Sequence, residues 1–458
     1  MVTQRDTIAA VASGGVVAAI GIVRVSGPET VKLMDGVFRP ADGKPMSAHA
    51  DRQLVYGELL DGEDRVLDLC LCTVSRAPRS YTGEDTAELQ CHGSPVVLRA
   101  ALESLFARGA RQALAGEFTR RAFLNGRLDL TRAEAVIDII EARTPLAARN
   151  AAGQLSGAVQ RCADEVYDLL ADICSHYHAV LDYPDEDIEP FTLEKYAADI
   201  AGADRKLLRL LDSFERGQYL EHGVPTAIIG RPNAGKSSWL NALLGYERAI
   251  VTDVAGTTRD TLSEGCVVGG VALRLTDTAG LRDTADAVEA AGVERALGAA
   301  GSADLILAVF DLSRDWSEED ERVCALARTA PRAVALANKS DLPPRWDAAL
   351  LRDRFDAVCV VSARDGSGLD ELSQAVRTLC PPPEAAAGEI LTNTRQRDAI
   401  ARAEEYLAAA AEAMRGLWPP DAVLTECEGA MGALSELTGR LVREDVTERI
   451  FSRFCVGK

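Results

Sequence analysis

The apolar run Thr226-Ala227-Ile228-Ile229 passes directly into Gly230-Arg231-Pro232-Asn233-Ala234-Gly235-Lys236-Ser237, and a helical stretch from Ser238 to Leu244 follows. A strand, a GxxxxGK[ST] loop and a helix, in that order, constrain the fold more than any other feature of the chain. The combination places a glycine-rich turn at the end of a sheet strand and at the start of a helix. Gly230 and Gly235 let backbone N–H groups converge on phosphate oxygens. Lys236 supplies a cation between terminal phosphates and Ser237 a hydroxyl for Mg²⁺, while Asn233, Ala234 and Ser238 complete the loop.

Strand-type and helix-type runs alternate across residues 224–380, which predicts a mainly parallel sheet with crossover helices. Val271, Leu273 and Leu275 alternate into Asp277-Thr278-Ala279-Gly280. There Asp277 would act on the Mg²⁺ shell, and the backbone of Gly280 would sense a γ-phosphate. Leu305 to Phe310 and Val334 to Leu336 read as buried strands, the second ending in Asn338-Lys339-Ser340-Asp341. This ending resembles the guanine-reading element of the Ras-like GTPase superfamily. A carboxylate such as Asp341 accepts both donors on the N1/N2 edge of guanine, and adenine offers no such pair, so GTP is expected over ATP. Val358 to Val361 leads to Ser362-Ala363, similar to the superfamily's last loop beside the base. Leu281 follows Gly280 where Ras-like proteins carry a water-orienting glutamine, so hydrolysis needs another group.

The rest of the 458 residues exceeds what one core requires. Residues 1 to about 120 alternate short β-type runs with turns, and Thr131 to Glu215 shows helical spacing. Pro381-Pro382-Pro383 and the following Glu384 to Gly388 read as a linker before a second helical stretch, Arg395 to Phe454. Helices on both sides of an α/β segment suggest one helical domain carrying an insertion, with two separate helical domains as the alternative. The expected division is 1–120, 121–220, 221–382 and 383–458.

With 50 Lys+Arg against 70 Asp+Glu, the net charge of −20 argues against a surface that grips nucleic acid all over. One local basic run, Arg108, Arg111, Arg120, Arg121, Arg127 and Arg132, reads either as an RNA contact or, more simply, as a solvated charged surface. The 11 cysteines show no zinc or redox spacing and suit a reducing compartment. No apolar run is long enough to cross a bilayer and no signal-peptide core is present, so no membrane role and a cytoplasmic location are expected.

Motifs outside the α/β segment carry a more specific resemblance. Asp6 to Ala10, Gly21 to Gly27, Tyr81-Thr82-Gly83-Glu84-Asp85 through Gly93, Gly116 to Asn125, and the ending Phe454-Cys455-Val456-Gly457-Lys458 are similar to the MnmE family of tRNA-modification GTPases along essentially the whole chain. The resemblance implies a multidomain α/β protein. Its parts are an N-terminal α+β folate-binding-like domain, an all-helical central domain and an inserted Ras-like G domain.

The segment Thr252, Asp253, Val254, Ala255, Gly256, Thr257 and Thr258 matches the family's potassium loop and first switch. By that match Asn233, Thr252, Val254 and Thr257 would bind K⁺, Thr258 would join Ser237 on Mg²⁺, and Glu289 would act on the attacking water. On the residues alone, Glu289 is one more exposed acid at a helix start. The family further implies GTP and GDP as ligands, a homodimer, and a tetrahydrofolate one-carbon derivative held near Arg24, Glu88, Arg127 and Lys458. It implies an FAD-containing MnmG-type partner, in a heterotetramer or larger complex, that acts on the wobble uridine of tRNA.

Departures from the family pattern are the first loop, Ser13-Gly14-Gly15-Val16, which lacks the usual arginine, and Arg127 in place of a common lysine. Cys455 reads equally as a thiol in the modification chemistry and as a packing residue of the tail. A regulatory or ribosome-assembly GTPase without modification chemistry is the alternative function.

Overall fold

Alternation sets the first sheet. Along β5 (Val66–Ser75), Cys70, Cys72 and Val74 point into a core while Leu69, Leu71 and Thr73 do not, the two-residue period of a strand buried on one face. The computed structural model describes residues 6–14, 17–182, 193–246, 264–275, 300–381, 388–416, 418–440, 450, 451, 454, 456 and 457. The chain divides into two compact units: residues 1–137 with 434–458, and residues 138–433.

In the first unit the strands are β1 (Ile8–Val11), β2 (Ala18–Ser26), β3 (Phe38–Pro40), β4 (Val55–Leu60), β5, β6 (Thr86–Gly93) and β7 (Arg111–Gln112). They form one sheet in the order β3-β4-β5-β6-β2-β1-β7, antiparallel except for the β1–β7 pair. Helices α1 (Thr30–Val37) and α2 (Pro95–Ala107) bring Leu33, Met34, Leu98 and Leu105 onto Val23, Val25, Leu89 and Cys91. Proline at the first position of α2 suits a site where an N–H has no helical partner. Helix α3 (Glu117–Leu124) follows, and α4 (Leu130–Glu141) begins in this unit. The C-terminal tail returns here: Phe451 packs near Phe123 and Phe454, and Val456 bridges Ala115.

The second unit contains the helices α5 (Pro145–Leu155), α6 (Ala158–Asp182) and α7 (Leu193–His222). Only Gly223 separates α7 from β8 (Val224–Ile229), the strand before the phosphate loop. Then come α8 (Lys236–Tyr246), β9 (Glu264–Val268), β10 (Val271–Leu275), β11 (Leu305–Asp311), α9 (Glu318–Ala327), β12 (Arg332–Asn338), β13 (Ala357–Val360) and α10 (Leu369–Leu379). The strands order as β13-β12-β11-β8-β10-β9, parallel except where β9 pairs with β10. All seven residues of β11 are buried, as expected for a strand covered on both faces.

Beyond the sheet run α11 (Thr394–Arg415) and α12 (Pro420–Thr438). Helix α11 packs along α7, so the helices on either side of the α/β segment lie together. The returning chain is tied down by α5. Asn150 Nδ2 and Gln154 Nε2 both donate to the Ile390 carbonyl, at 2.9 and 2.6 Å, while Asn150 Oδ1 accepts from the amide of Gly388. The architecture is the multidomain α/β arrangement that the sequence implies, with a mainly parallel sheet in the second unit.

Candidate functional site

The phosphate loop closes between β8 and α8 as its glycines require. Gly230 has φ +155° and a Cβ there would stand 2.5 Å from the Val309 carbonyl oxygen. Gly235 has φ +104°, and its Cβ would collide with Asn338 Nδ2. Both positions exclude a side chain for steric reasons as well as for their backbone angles. Asn233 adopts φ +61° and is exposed, which leaves a hard oxygen donor at the loop's surface. Lys236 Nζ donates to the carbonyls of Gly230 and Arg231, at 2.8 and 2.9 Å. Burial pushes the Lys236 ammonium below its ordinary pKa, so an anion brought against it is favoured. Ser237 and Ser238 open α8 directly after it, where backbone N–H groups point out of the helix.

The loop Asn338 to Asp341 is built onto the phosphate loop. Asn338, at the end of β12 and 2% exposed, donates from Nδ2 to the Ala234 carbonyl at 2.8 Å and accepts at Oδ1 from the Ala363 amide at 3.1 Å. One side chain therefore holds three loops in register. Lys339, at φ +66°, donates to the Asn233 carbonyl at 3.0 Å and to Asp311 Oδ2 at 2.6 Å. Asp341 accepts from Ser362 Oγ at 3.0 Å, and Arg364 Nη1 lies 3.7 Å from its other oxygen. A carboxylate so placed presents two acceptors at the mouth of the loops, the complement of a guanine edge.

Asp311 was not among the residues read from the sequence. Burial alone would raise its pKa, but hydrogen bonds from Lys339 and from the Ser313 hydroxyl and amide outweigh that and hold it low. Its only sequence signal is an acid closing an otherwise apolar strand.

Arg24, Glu88 and the tail meet in the first unit. Arg24 and Glu88 face each other across β2 and β6 and pair through Nε and Nη2, at 2.9 and 2.8 Å. Arg24 Nη1 reaches the Gly457 carbonyl at 3.4 Å, and its guanidinium lies over the rings of Tyr81 and Phe118. Arg127 is exposed, and its stem runs beside Gly83, close enough that a Cβ there would stand 3.2 Å from Arg127 Cγ. The arrangement brings a cation–carboxylate pair beside an aromatic ring.

The basic run does not form a bare cationic surface. Arg108 Nη2 donates to Asp64 at 2.6 Å, Arg111 grips Glu117 through two nitrogens, and buried Arg121 is enclosed by Asp6, Glu84 and Glu117. Ten cysteines are described and all are free thiols, nine of them buried.

Several residues read from the sequence lie outside the described ones: the potassium-loop and switch segment Thr252 to Thr258, Asp277 to Leu281, Glu289, Cys455 and Lys458.

Comparison with known proteins adds two family matches. GTP-binding protein TrmE N-terminus matches residues 7–127, and MnmE helical domain matches residues 130–455. Whole-chain relatives agree. A protein of Roseiflexus sp. (strain RS-1) named tRNA modification GTPase MnmE is 42% identical over 468 residues, covering 99% of each chain. Proteins of the same name from Symbiobacterium thermophilum and Alkaliphilus metalliredigens are 41% and 39% identical, each covering 99% of this chain and 100% and 99% of their own.

Proposed function

We propose, from the premise that this chain belongs to the MnmE family of tRNA modification GTPases, that it hydrolyses GTP to drive modification of tRNA. The observation that carries this reading is Asn338, whose side chain ties the phosphate loop to the loop at Ala363 within a chain related to the family from end to end. Lys236 would steady the terminal phosphates and Asp341 would accept the two donors of guanine. Ser237 would offer its hydroxyl to Mg²⁺ with Thr258, and the oxygens of Asn233, Thr252, Val254 and Thr257 suit K⁺, a cation that neutralises charge developing between the phosphates. Glu289 would orient water in place of the glutamine that Leu281 replaces.

The remaining assignments follow the family. The chain pairs with itself and with an FAD-containing MnmG-type protein, and adds an aminomethyl-type group at C5 of the wobble uridine of certain tRNAs. A one-carbon tetrahydrofolate would lie near Arg24, Glu88, Arg127 and Lys458; the paired carboxylate suits a pterin and the cations suit a glutamate tail. Cys455 is a candidate for that chemistry. The working domain division is 1–120, 121–220, 221–382 and 383–458, and the working location is the cytoplasm. Among the described residues no helix is long and apolar enough to cross a membrane. The net charge of −20 supports a partner that supplies most of the tRNA-binding surface.

Nucleosides of tRNA from a strain lacking this protein should lose the C5 group on the wobble uridine, read by mass spectrometry. An unchanged nucleoside profile, with GTP hydrolysis intact in the purified protein, would favour the assembly-GTPase reading instead.

A further inference from the structure

Arg231, the second residue of the phosphate loop, turns away from solvent. Its side chain is 9% exposed, and Nη1 donates to Asp320 Oδ2 at 3.1 Å, to Ser317 Oγ at 3.4 Å and to the Asp315 carbonyl at 3.5 Å. Its Nε is buried without a partner among the described residues, so the grip runs through Nη1. Asp320 is buried as well, and the same Oδ2 accepts from the Ser317 amide at 3.0 Å and from Ser317 Oγ at 2.8 Å. One carboxylate oxygen thus closes the capping box at the start of α9 and also anchors the phosphate loop.

The anchored residue is also one of the two whose carbonyls hold Lys236. The backbone at Arg231 is therefore fixed from one side by α9 and engaged from the other by the phosphate-loop lysine. Charge-assisted bonds between buried groups are strong and directional, unlike an exposed ion pair. Proline at 232 removes one backbone donor and stiffens the chain directly after the anchor. A shift of Arg231 would move the carbonyls of Gly230 and Arg231 and, with them, the ammonium of Lys236.

We propose that Arg231 is a positioning residue of the nucleotide site: through Asp320 it sets the phosphate-loop backbone, and so sets where Lys236 meets the terminal phosphates. This deepens the nucleotide-site reading above and rests on it. The Arg231–Asp320 pair ties the phosphate loop to the start of α9, and neither Asp320 nor Ser317 would touch nucleotide.

The test uses the full-length chain and fluorescent GDP and GTP analogues, with thermal midpoints measured in parallel. Asp320→Asn leaves Arg231 without its counter-charge and should weaken both nucleotides roughly ten- to a hundredfold. Ser317→Ala loosens the start of α9 but keeps the Arg231–Asp320 pair, and should stay within about threefold of wild type. If Arg231 acts through Asp320, Arg231→Met combined with Asp320→Asn should lose no more affinity than Asp320→Asn alone. Asp320→Glu keeps the charge but displaces it by one methylene, and should fall between wild type and Asp320→Asn. It decides the matter if Asp320→Asn does not fold, because wild-type affinity in Asp320→Glu would then overturn the proposal. Wild-type affinity in a folded Asp320→Asn would overturn it too, as would an equal loss in Ser317→Ala, which would assign the effect to helix fraying. A wild-type protein that binds neither nucleotide would overturn the site reading itself and this proposal with it.

Discussion

Replacing Arg121 with methionine removes the centre of a buried ionic network and leaves its volume nearly filled. Arg121 is 1% exposed and donates to Asp6 Oδ1 at 2.9 Å, Glu117 Oε1 at 3.0 Å, the Asp6 carbonyl at 3.0 Å and the Glu84 carboxylate at 3.1 Å. Breaking a buried ion pair from one side costs about 3–5 kcal/mol, because a charge stays behind without compensation. Here Glu117 keeps the two-nitrogen grip of Arg111, at 2.6 and 2.9 Å, and Glu84 keeps the hydroxyl of Ser26. The expected cost therefore sits at the low end, about 3 kcal/mol. The same change at Arg111, which is more than a third exposed, should cost about 1 kcal/mol after solvent screening.

Two compact units make a single global unfolding curve ambiguous, so the assay is amide hydrogen exchange on peptides covering β1, β2 and α3. Exchange there should accelerate about a hundredfold in Arg121→Met and less than about tenfold in Arg111→Met.

The network also fixes the sign of the acid response. For both Asp6 and Glu117 burial alone would raise the carboxyl pKa, but the guanidiniums of Arg111 and Arg121 outweigh it and hold each below its ordinary value. Depressed carboxyls contribute stability that is complete above their unfolded pKa, about 4, and that is lost as pH falls through the folded values. Wild type should lose protection in this unit below about pH 4, and Arg121→Met should show a shallower loss. An Arg111→Met protein as destabilised as Arg121→Met, or an Arg121→Met protein with unchanged exchange, would refute this reasoning.

Three further outcomes follow from the nucleotide loops. Asn338→Ala strips a partner from the Ala234 carbonyl and the Ala363 amide at once, and should weaken GDP and GTP alike by at least about tenfold in equilibrium titration. Gly235→Ala places a methyl group on Asn338 Nδ2 at φ +104°, so nucleotide binding should fall below detection while the far-ultraviolet circular dichroism is retained. Hydrolysis of GTP in KCl should exceed that in NaCl by at least about tenfold if a cation performs the charge neutralisation assigned to it; equal rates would remove the potassium assignment.

Much of the second unit was legible in the sequence because its signals are local. A strand ending in GRPNAGKS, or in NKSD, states its geometry within eight residues, and the parallel sheet brings both endings to the same edge, one strand apart. The pairings that hold the site together were not legible, because they join residues far apart in the chain. Arg231 meets Asp320, Lys339 meets Asp311, and nothing in either local pattern marks the other.

The basic run from Arg108 to Arg132 shows the same limit in the first unit. Read along the chain it is a cluster of cations; in the fold, Asp6, Glu84 and Glu117 are brought to Arg111 and Arg121, and Asp64 to Arg108. Cationic density along a sequence gives no information about which acids the topology delivers. By contrast, the facing positions of Arg24 and Glu88 belong to motifs that were singled out, and β-sheet register joins them directly.

The central claim is that the phosphate loop and the Asp341 loop form one guanine-nucleotide site. It is tested most directly by turnover of GTP and of ATP by the purified full-length protein with Mg²⁺ in KCl, before and after Asp341→Asn. Wild type should hydrolyse GTP and leave ATP, and Asp341→Asn, which exchanges a double acceptor for a mixed amide, should lose GTP turnover at sub-saturating concentration by about a hundredfold or more. Equal turnover of the two nucleotides by wild type, or GTP turnover indifferent to Asp341→Asn, would contradict the account.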